Sequence, residues 1–241
     1  MRLSFSGNSD IGLVRKVNQD RWSHIHCDWG DLFVVADGLG HEEGGQFASQ
    51  STVDQLKERF SERDPEDTPG FLQKVLTEIN EAIFREKVGV YRKAMMASTC
   101  VALVIQEESA YLAHVGDSRA YYLHDGELMQ LTKDQSLVQE MVDEGLISKE
   151  QAESHPNKNI VTEALGAQAD VNVNIREESL SLSPGDRFLL CSDGLWGSVS
   201  RNRLHEILAH EGPDDAVAEF IDLARQNGGA DNITVQVIYV G

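Results

Sequence analysis

The sequence predicts an α+β fold in which antiparallel sheets pack together and helices lie outside. Apolar strand runs follow one another as a meander in the middle of the chain. The overall order is strand, helix pair, strand meander, helical insert, then strand, helices and strand. It lacks the βα alternation of a doubly wound parallel sheet. The helical stretches are amphipathic, so each has one face to bury. A third feature concerns chemistry: Asp37-Gly38, Asp117 in HVGDSR, Asp193-Gly194 in CSDGLW and Asp231-Asn232 in GGADNIT each stand where an apolar strand meets a turn.

Taken in order, DLFVVADG (31–38) is an apolar run ending on a turn dipeptide and reads as a buried strand. Phe47, Val53, Leu56 and Phe60 stand near helical spacing and predict an inward face. The breaker-rich stretch SERDPEDTPG (61–70) reads as a loop. Thr68 then caps a second helix, with Pro69 in its first turn and Leu72, Val75, Leu76, Ile79 and Ile83 as its buried stripe. Strands follow at 98–106, 109–116 and 119–126, and Asp125-Gly126 marks a hairpin over 119–131. Residues 134–167 have helical character without a strand, an insert of the kind that serves as a lid or specificity element. The last strands are 187–194 and 232–240. Between them Pro213 opens a helix with Val217, Phe220, Ile221 and Ala224 inward and Asp214-Asp215 at its start.

At 241 residues and 41% hydrophobic, the chain is sized for one domain over 1–241 with its own core. Its 40 acidic and 21 basic residues give a net charge of -19. That excludes a nucleic-acid or anionic-membrane footprint, which needs a basic face. An acidic surface also keeps an enzyme soluble. Cys27, Cys100 and Cys191 have no metal-type spacing and read as reduced thiols, pointing to a cytoplasmic location. No stretch approaches the ~18–20 apolar residues of a membrane span, and no signal-peptide core follows Met1.

An aspartate ending a buried strand is costly unless something cationic receives it. One such motif alone is a turn; four, spread along the chain, point to one site assembled by the fold. Hard oxygen ligands suit Mg²⁺ or Mn²⁺, and glycine beside Asp37 lets backbone approach an ion. Other candidates read as structure. His24 and His26 fall on one face of a half-exposed strand, with imidazoles toward solvent. His114 reads as a hydrogen-bonded core histidine. Trp22, Trp29 and Trp196 show no stacking pattern with basic residues and read as packing. Cys191 lacks the phosphate-cradling loop and following arginine of a cysteine phosphatase.

Together, RKVNQD (15–20), DGLG (37–40), VGDSR (115–119), SDGLW (192–196) and GGADNITV (228–235) resemble the ordered motif set of the PPM family, the protein phosphatase 2C type. The resemblance runs from about residue 7 to 240. It implies a four-layer αββα fold: a central antiparallel β-sandwich flanked by helices, with two Mn²⁺ or Mg²⁺ ions at one end. It also implies roles. Asp37 bridges the two ions and the Gly38 carbonyl binds one of them. Asp193 and Asp231 hold the other. Asp20 binds or orients metal waters, and Asp117 shares a looser third ion with Asp193. Arg15 grips the substrate phosphate and Asn232 orients Asp231. The implied substrates are phosphoserine and phosphothreonine proteins, the products of a Ser/Thr kinase, and the implied enzyme is a monomer of bacterial type.

The chain departs from that pattern in three places. Where many relatives read Asp-Gly-Met-Gly-Gly-His, this chain has Leu39, Gly40, His41 and Glu42 after Asp37-Gly38, so the histidine comes one position early. Protonation of the leaving group then falls to a metal-bound water or to His41 from a shifted loop. The usual Asp-His-Ser is Asp134-Gln135-Ser136, and a His-Pro stretch often followed by arginine reads His155-Pro156-Asn157-Lys158. Both lie in the insert, which forms a flap in relatives, and both bear on substrate preference and metal turnover. Two rival functions follow: a metal-bound fold that holds phosphoproteins without turnover, and another metallohydrolase such as a phosphodiesterase. The second lacks the histidines such binuclear sites recruit.

Overall fold

A computed structural model describes residues 1–62, 66–89 and 95–241, without the Glu42 side chain. The loop expected over 61–70 therefore lies partly outside the described residues. The chain opens with strands β1 (Leu3–Asp10), β2 (Arg21–Cys27), β3 (Gly30–Ala36) and β4 (Gly38–Gly40), followed by helices α1 (Glu42–Glu62) and α2 (Thr68–Gly89). The meander comprises β5 (Met96–Ser98), β6 (Cys100–Gln106), β7 (Ser109–Val115), β8 (Arg119–His124) and β9 (Glu127–Gln130). The insert carries α3 (Leu137–Asp143) and α4 (Lys149–Glu153). There follow β10 (Asn174–Ile175), β11 (Leu180–Ser181), β12 (Arg187–Cys191), α5 (Asp193–Trp196), α6 (Arg201–His210), α7 (Pro213–Gln226) and β13 (Ile233–Val240).

One sheet has the order β1-β13-β12-β8-β9 and the other β10-β7-β6-β3-β2, with β11 also on β7. Their pairings are antiparallel. Because side chains alternate along a strand, each sheet has two apolar faces to cover. Phe33 and Val35 of β3 pack in the layer between sheets, with Leu103, Tyr122, Phe188 and Ile238. The Tyr122 and Phe188 rings stack there 4.7 Å apart. Leu32, Val34 and Ala36 belong to the opposite face and pack with Leu56, Phe60, Leu76 and Ile79 of α1 and α2. Across the sandwich, Leu189, Val235 and Val237 pack with Leu204, Ile207, Phe220 and Ile221 of α6 and α7. The layers are αββα, as the sequence implies. Among the described residues no helix is long and apolar enough to cross a membrane.

Several local expectations are corrected. Phe47 is 39% exposed and is not part of the inward face of α1. Ala48, Thr52, Leu56 and Phe60, all buried, recur every four residues, and Phe47 sits one position to the side. Thr68 is the first residue of α2, and its cap is Asp67, whose Oδ1 accepts from the Gly70 N–H at 3.0 Å. The carboxylate one residue earlier reaches the free amide, so the Thr68 hydroxyl instead donates to Gln106 Oε1 at 2.9 Å. The polar run LSFSGNSD, assigned no strand from sequence, forms β1 because β13 offers it a partner edge, from Leu3 opposite Val240 to Asp10 opposite Ile233. His24 and His26 share a face, yet His24 is not simply solvent-facing. Both donate to Asp31 Oδ1, at 2.6 and 3.0 Å, and the His24 ring stacks on Phe33.

The cap makes a direct prediction. Asp67→Ala should lower unfolding free energy by about 1 kcal/mol in a denaturant titration, with an unchanged m-value.

Candidate active site

Sheet register gathers the predicted ligands. Arg21 stands opposite Ala36, Cys100 opposite Val115, and Cys191 opposite both Val235 and Arg119. The residues just beyond these pairs therefore emerge at one end of the sandwich: Asp20 before β2, Asp37 after β3, Asp117 after β7, Asp193 after β12 and Asp231 before β13. Asp37 is fixed through its backbone. Its N–H donates to Thr99 Oγ1 at 3.0 Å, and its carbonyl accepts from the Thr99 N–H at 2.8 Å and Ser98 Oγ at 3.1 Å. Only glycine fits next to it: a Cβ on Gly38 would lie 2.3 Å from the Gly45 carbonyl oxygen and 2.6 Å from that of Gln19.

Asp20 ties the sheets together at this end. Its Oδ2 accepts from Ser192 Oγ and from Thr234 Oγ1, each at 2.7 Å. Its Oδ1 has no hydrogen-bond partner, and neither has Asp117 Oδ2 or Asp193 Oδ1. Among the described residues only Gln236 Oε1 joins them as a buried side-chain oxygen or nitrogen without a partner. Orphaned buried carboxylate oxygens are what a divalent cation satisfies, so the residues fit the implied ions. Among the described residues no three His, Cys, Asp or Glu side chains close on one point as metal ligands.

The electrostatics point the same way. Burial holds Asp37 well above the ordinary carboxylate range, and Asp20, Asp193, Asp117 and Asp231 push it further. Asp193 is raised likewise by burial and then by Asp117 and Asp231. Burial lifts Asp20 to about 6 against the hydrogen bonds of Ser192 and Thr234. Asp117 rises to about 7 through burial and the nearby Asp134. Cations reverse each of these shifts.

Arg15 stands at the rim with about half its side chain exposed (51%), and its Nη2 donates to Asp231 Oδ2 at 2.6 Å. That bond raises its pKa further, so the guanidinium stays charged. The loop carrying it is held by Asn232. Asn232 Oδ1 accepts from the Gln19 N–H at 2.9 Å, and Nδ2 donates to the carbonyls of Ile11 and Val17 at 3.0 and 3.1 Å. The Asn232 side chain thus ties the Arg15 loop to the Asp231 turn, and it is the Asn232 backbone N–H, at 2.8 Å, that donates to Asp231 Oδ1. His41 is exposed, and its carbonyl accepts from the Gly45 N–H at 3.0 Å and Gln19 Nε2 at 3.3 Å. The Glu42 side chain lies outside the described residues.

Sequence reasoning missed a cationic brace. Arg119 forks onto Asp134, with Nε to Oδ1 at 3.0 Å and Nη2 to Oδ2 at 2.7 Å. Its guanidinium carbon lies 3.6 Å from the Trp196 ring centroid. Trp196 Nε1 in turn donates to the Asp117 carbonyl at 2.9 Å. The reading of Trp196 as plain packing is therefore corrected: its basic partner is distant in sequence and no local pattern shows it. The available signal was Arg119 standing two residues after Asp117 inside VGDSR. His114, as expected, is a buried core histidine bonded to the Lys133 carbonyl at 2.8 Å.

Carboxylates raised to about 6 and about 7 carry a share of protons at pH 6 and lose them as pH rises. Mn²⁺ binding should therefore expel protons at pH 6 and release fewer at pH 8. Calorimetry in buffers of different ionisation enthalpy measures this, and equal release at both values contradicts the assignment.

Comparison with known proteins agrees with this geometry. The family model for protein phosphatase 2C matches residues 14–233. The serine/threonine protein phosphatase PstP of Mycobacterium tuberculosis is 36% identical over 98% of this chain, which spans only 44% of that protein. The serine/threonine phosphatase stp of Listeria monocytogenes is 36% identical over 95% of this chain and 93% of its own length. A solved structure of the PstP catalytic domain, in complex with two manganese ions, is 33% identical, covers 99% of both chains and has a TM-score of 0.84. A family match over most of the sequence and relatives above 30% identity carry one conclusion: the chain belongs to the protein phosphatase 2C family.

Proposed function

We propose that the chain is a metal-dependent protein phosphatase that hydrolyses phosphoserine and phosphothreonine on proteins. In this reading it is a single domain over 1–241 with a flap at about 134–167. It acts as a cytoplasmic monomer, away from membranes and nucleic acid, and opposes a Ser/Thr kinase. The observation that carries the reading is the set of unpartnered buried oxygens on Asp20, Asp117 and Asp193, brought by separate loops to one end of the sandwich. The manganese bound by the PstP catalytic domain supports the same assignment.

Asp37 and the Gly38 carbonyl, with Asp193, Asp231 and Asp20, would hold two Mn²⁺ or Mg²⁺ ions, and Asp117 with Asp193 would offer a third position. Such ions supply an activated water and neutralise charge for in-line displacement at phosphorus. The chain's own residues aim the substrate. Arg15 takes two phosphate oxygens through its planar fork, and Asp231 and Asn232 set its position. Asp20, fastened through Oδ2 by Ser192 and Thr234, would have its unpartnered Oδ1 free for a metal or its water. The leaving oxygen takes its proton from water or from His41, exposed on the loop before α1.

Phosphopeptide hydrolysis should require Mn²⁺ or Mg²⁺, stop on chelation, and fall to background in Asp37→Ala. Metal-independent turnover, or full activity of that variant, contradicts the mechanism. Phosphopeptide binding without turnover in any metal would instead support a non-catalytic binding role. Arg15→Lys keeps charge but loses the fork. It should cost about 1.5–3 kcal/mol of transition-state stabilisation, roughly 10- to 150-fold in kcat/KM.

A further inference from the structure

Gln135 stands where the flap begins and is 8% exposed. Both ends of its amide are engaged. Oε1 accepts from the Gly116 N–H at 2.7 Å, and Nε2 donates to the Asn172 carbonyl at 2.7 Å. Its backbone is engaged as well: its N–H donates to the Gly116 carbonyl at 3.0 Å, and its carbonyl accepts from the Thr162 N–H at 2.9 Å. One residue therefore joins three segments: the turn into Asp117, the returning arm of the flap, and the stretch leading into β10.

The two sides of this junction are well defined. Gly116 has φ +93°, and a Cβ there would lie 2.7 Å from Thr99 Cγ2, so the turn before Asp117 has little freedom. Asp117 itself offers the unpartnered Oδ2. On the flap side, Ser136 bridges to Val161, and the Leu137 N–H donates to the Ile160 carbonyl at 2.9 Å, closing the insert at its neck. Gln135 is the side chain that crosses from this neck to the Asp117 turn. A neutral amide suits the task because one partner is a donor and the other an acceptor.

We propose that Gln135 is a positioning residue that couples flap order to ion binding at Asp117, each favouring the other. The proposal rests on the reading of Asp117 as a metal ligand. Coupling of this kind is reciprocal, so a polypeptide ordering the flap would also tighten the ion at Asp117.

The test uses the full chain and Mn²⁺ alone, with hydrogen exchange and manganese paramagnetic resonance as readouts. As the weakest Mn²⁺ equivalent binds, amides over 160–173 should exchange more slowly. Gln135→Met keeps the length and removes both polar ends. It should abolish that slowing and weaken the last equivalent by about tenfold, with the tighter equivalents unchanged. Gln135→Glu retains an acceptor for Gly116 but faces Asn172 with another acceptor, and should lose most of the slowing even if the Met variant folds poorly. Asp117→Asn should lose the slowing with Gln135 intact. Flap exchange indifferent to Mn²⁺ in the wild-type chain, or folded Gln135 variants that keep the wild-type response, overturns the proposal. Wild-type phosphopeptide hydrolysis is measured separately, so failed coupling and failed phosphatase activity are distinguishable.

Discussion

Five carboxylates crowd one end of this sandwich, and their mutual repulsion in a desolvated place is the constraint that the surrounding structure is arranged to meet. Burial and neighbouring charge push Asp37 and Asp193 far toward the neutral form, and Asp20 and Asp117 part of the way. Neutral hydrogen-bond donors hold Asp20 and Asp37, and the part-buried Arg119 pulls Asp117 part of the way back. Asp37 is gripped through its backbone, and Asp20 by two hydroxyls. Arg119, the cation nearest Asp117 in sequence, is paired with Asp134 and stacked on Trp196. Among the described residues, Asp231 at the rim is the one of the five that forms an ion pair with an arginine. Holding carboxylates with neutral donors leaves their free oxygens for ions, at a cost that apolar packing elsewhere must offset.

That packing is supplied by three apolar layers: helices on a sheet, sheet on sheet, and sheet on helices again. Large side chains such as Phe33, Phe60, Phe188 and Phe220 are fully buried in them. Rigid strands deliver each acidic loop to the same end, because antiparallel register places the end of one strand beside the start of the next. The acidic residues sit on short connections, and the scaffold beneath them sets where those connections begin.

Local signals made much of this legible before the structure. The stripe of α2, the strands of the meander, the Asp125-Gly126 hairpin and the strand-end aspartates all rest on residues near one another in sequence. What stayed hidden depends on pairs far apart. Trp196 looked like packing because its partner Arg119 is 77 positions away and the Asp117 carbonyl further still. The polar run of β1 is a strand only because β13 lies beside it. Asp67 displaced Thr68 as a cap by a single residue, a choice set by side-chain reach, which composition does not show. Gln135 was visible as an unusual residue, whereas its four bonds to three segments were not.

The position of β13 has a consequence for the order of events during synthesis. This strand comes late in the sequence yet lies inside its sheet, between β1 and β12, with Leu3 opposite Val240. Until it is made, β1 has no partner and β12 presents an open edge. The Asp231 anchor and the Thr234 hydroxyl that fastens Asp20 are also missing. A nascent chain therefore carries most of the acidic loops long before it can assemble them. The closing pairing joins segments far apart in sequence, a slow kind of contact to form. Assembly of the acidic cluster is thus tied to completion of the fold, and a polypeptide that lacks β13 and the turn before it has neither the Asp231 anchor nor the Thr234 hydroxyl on Asp20.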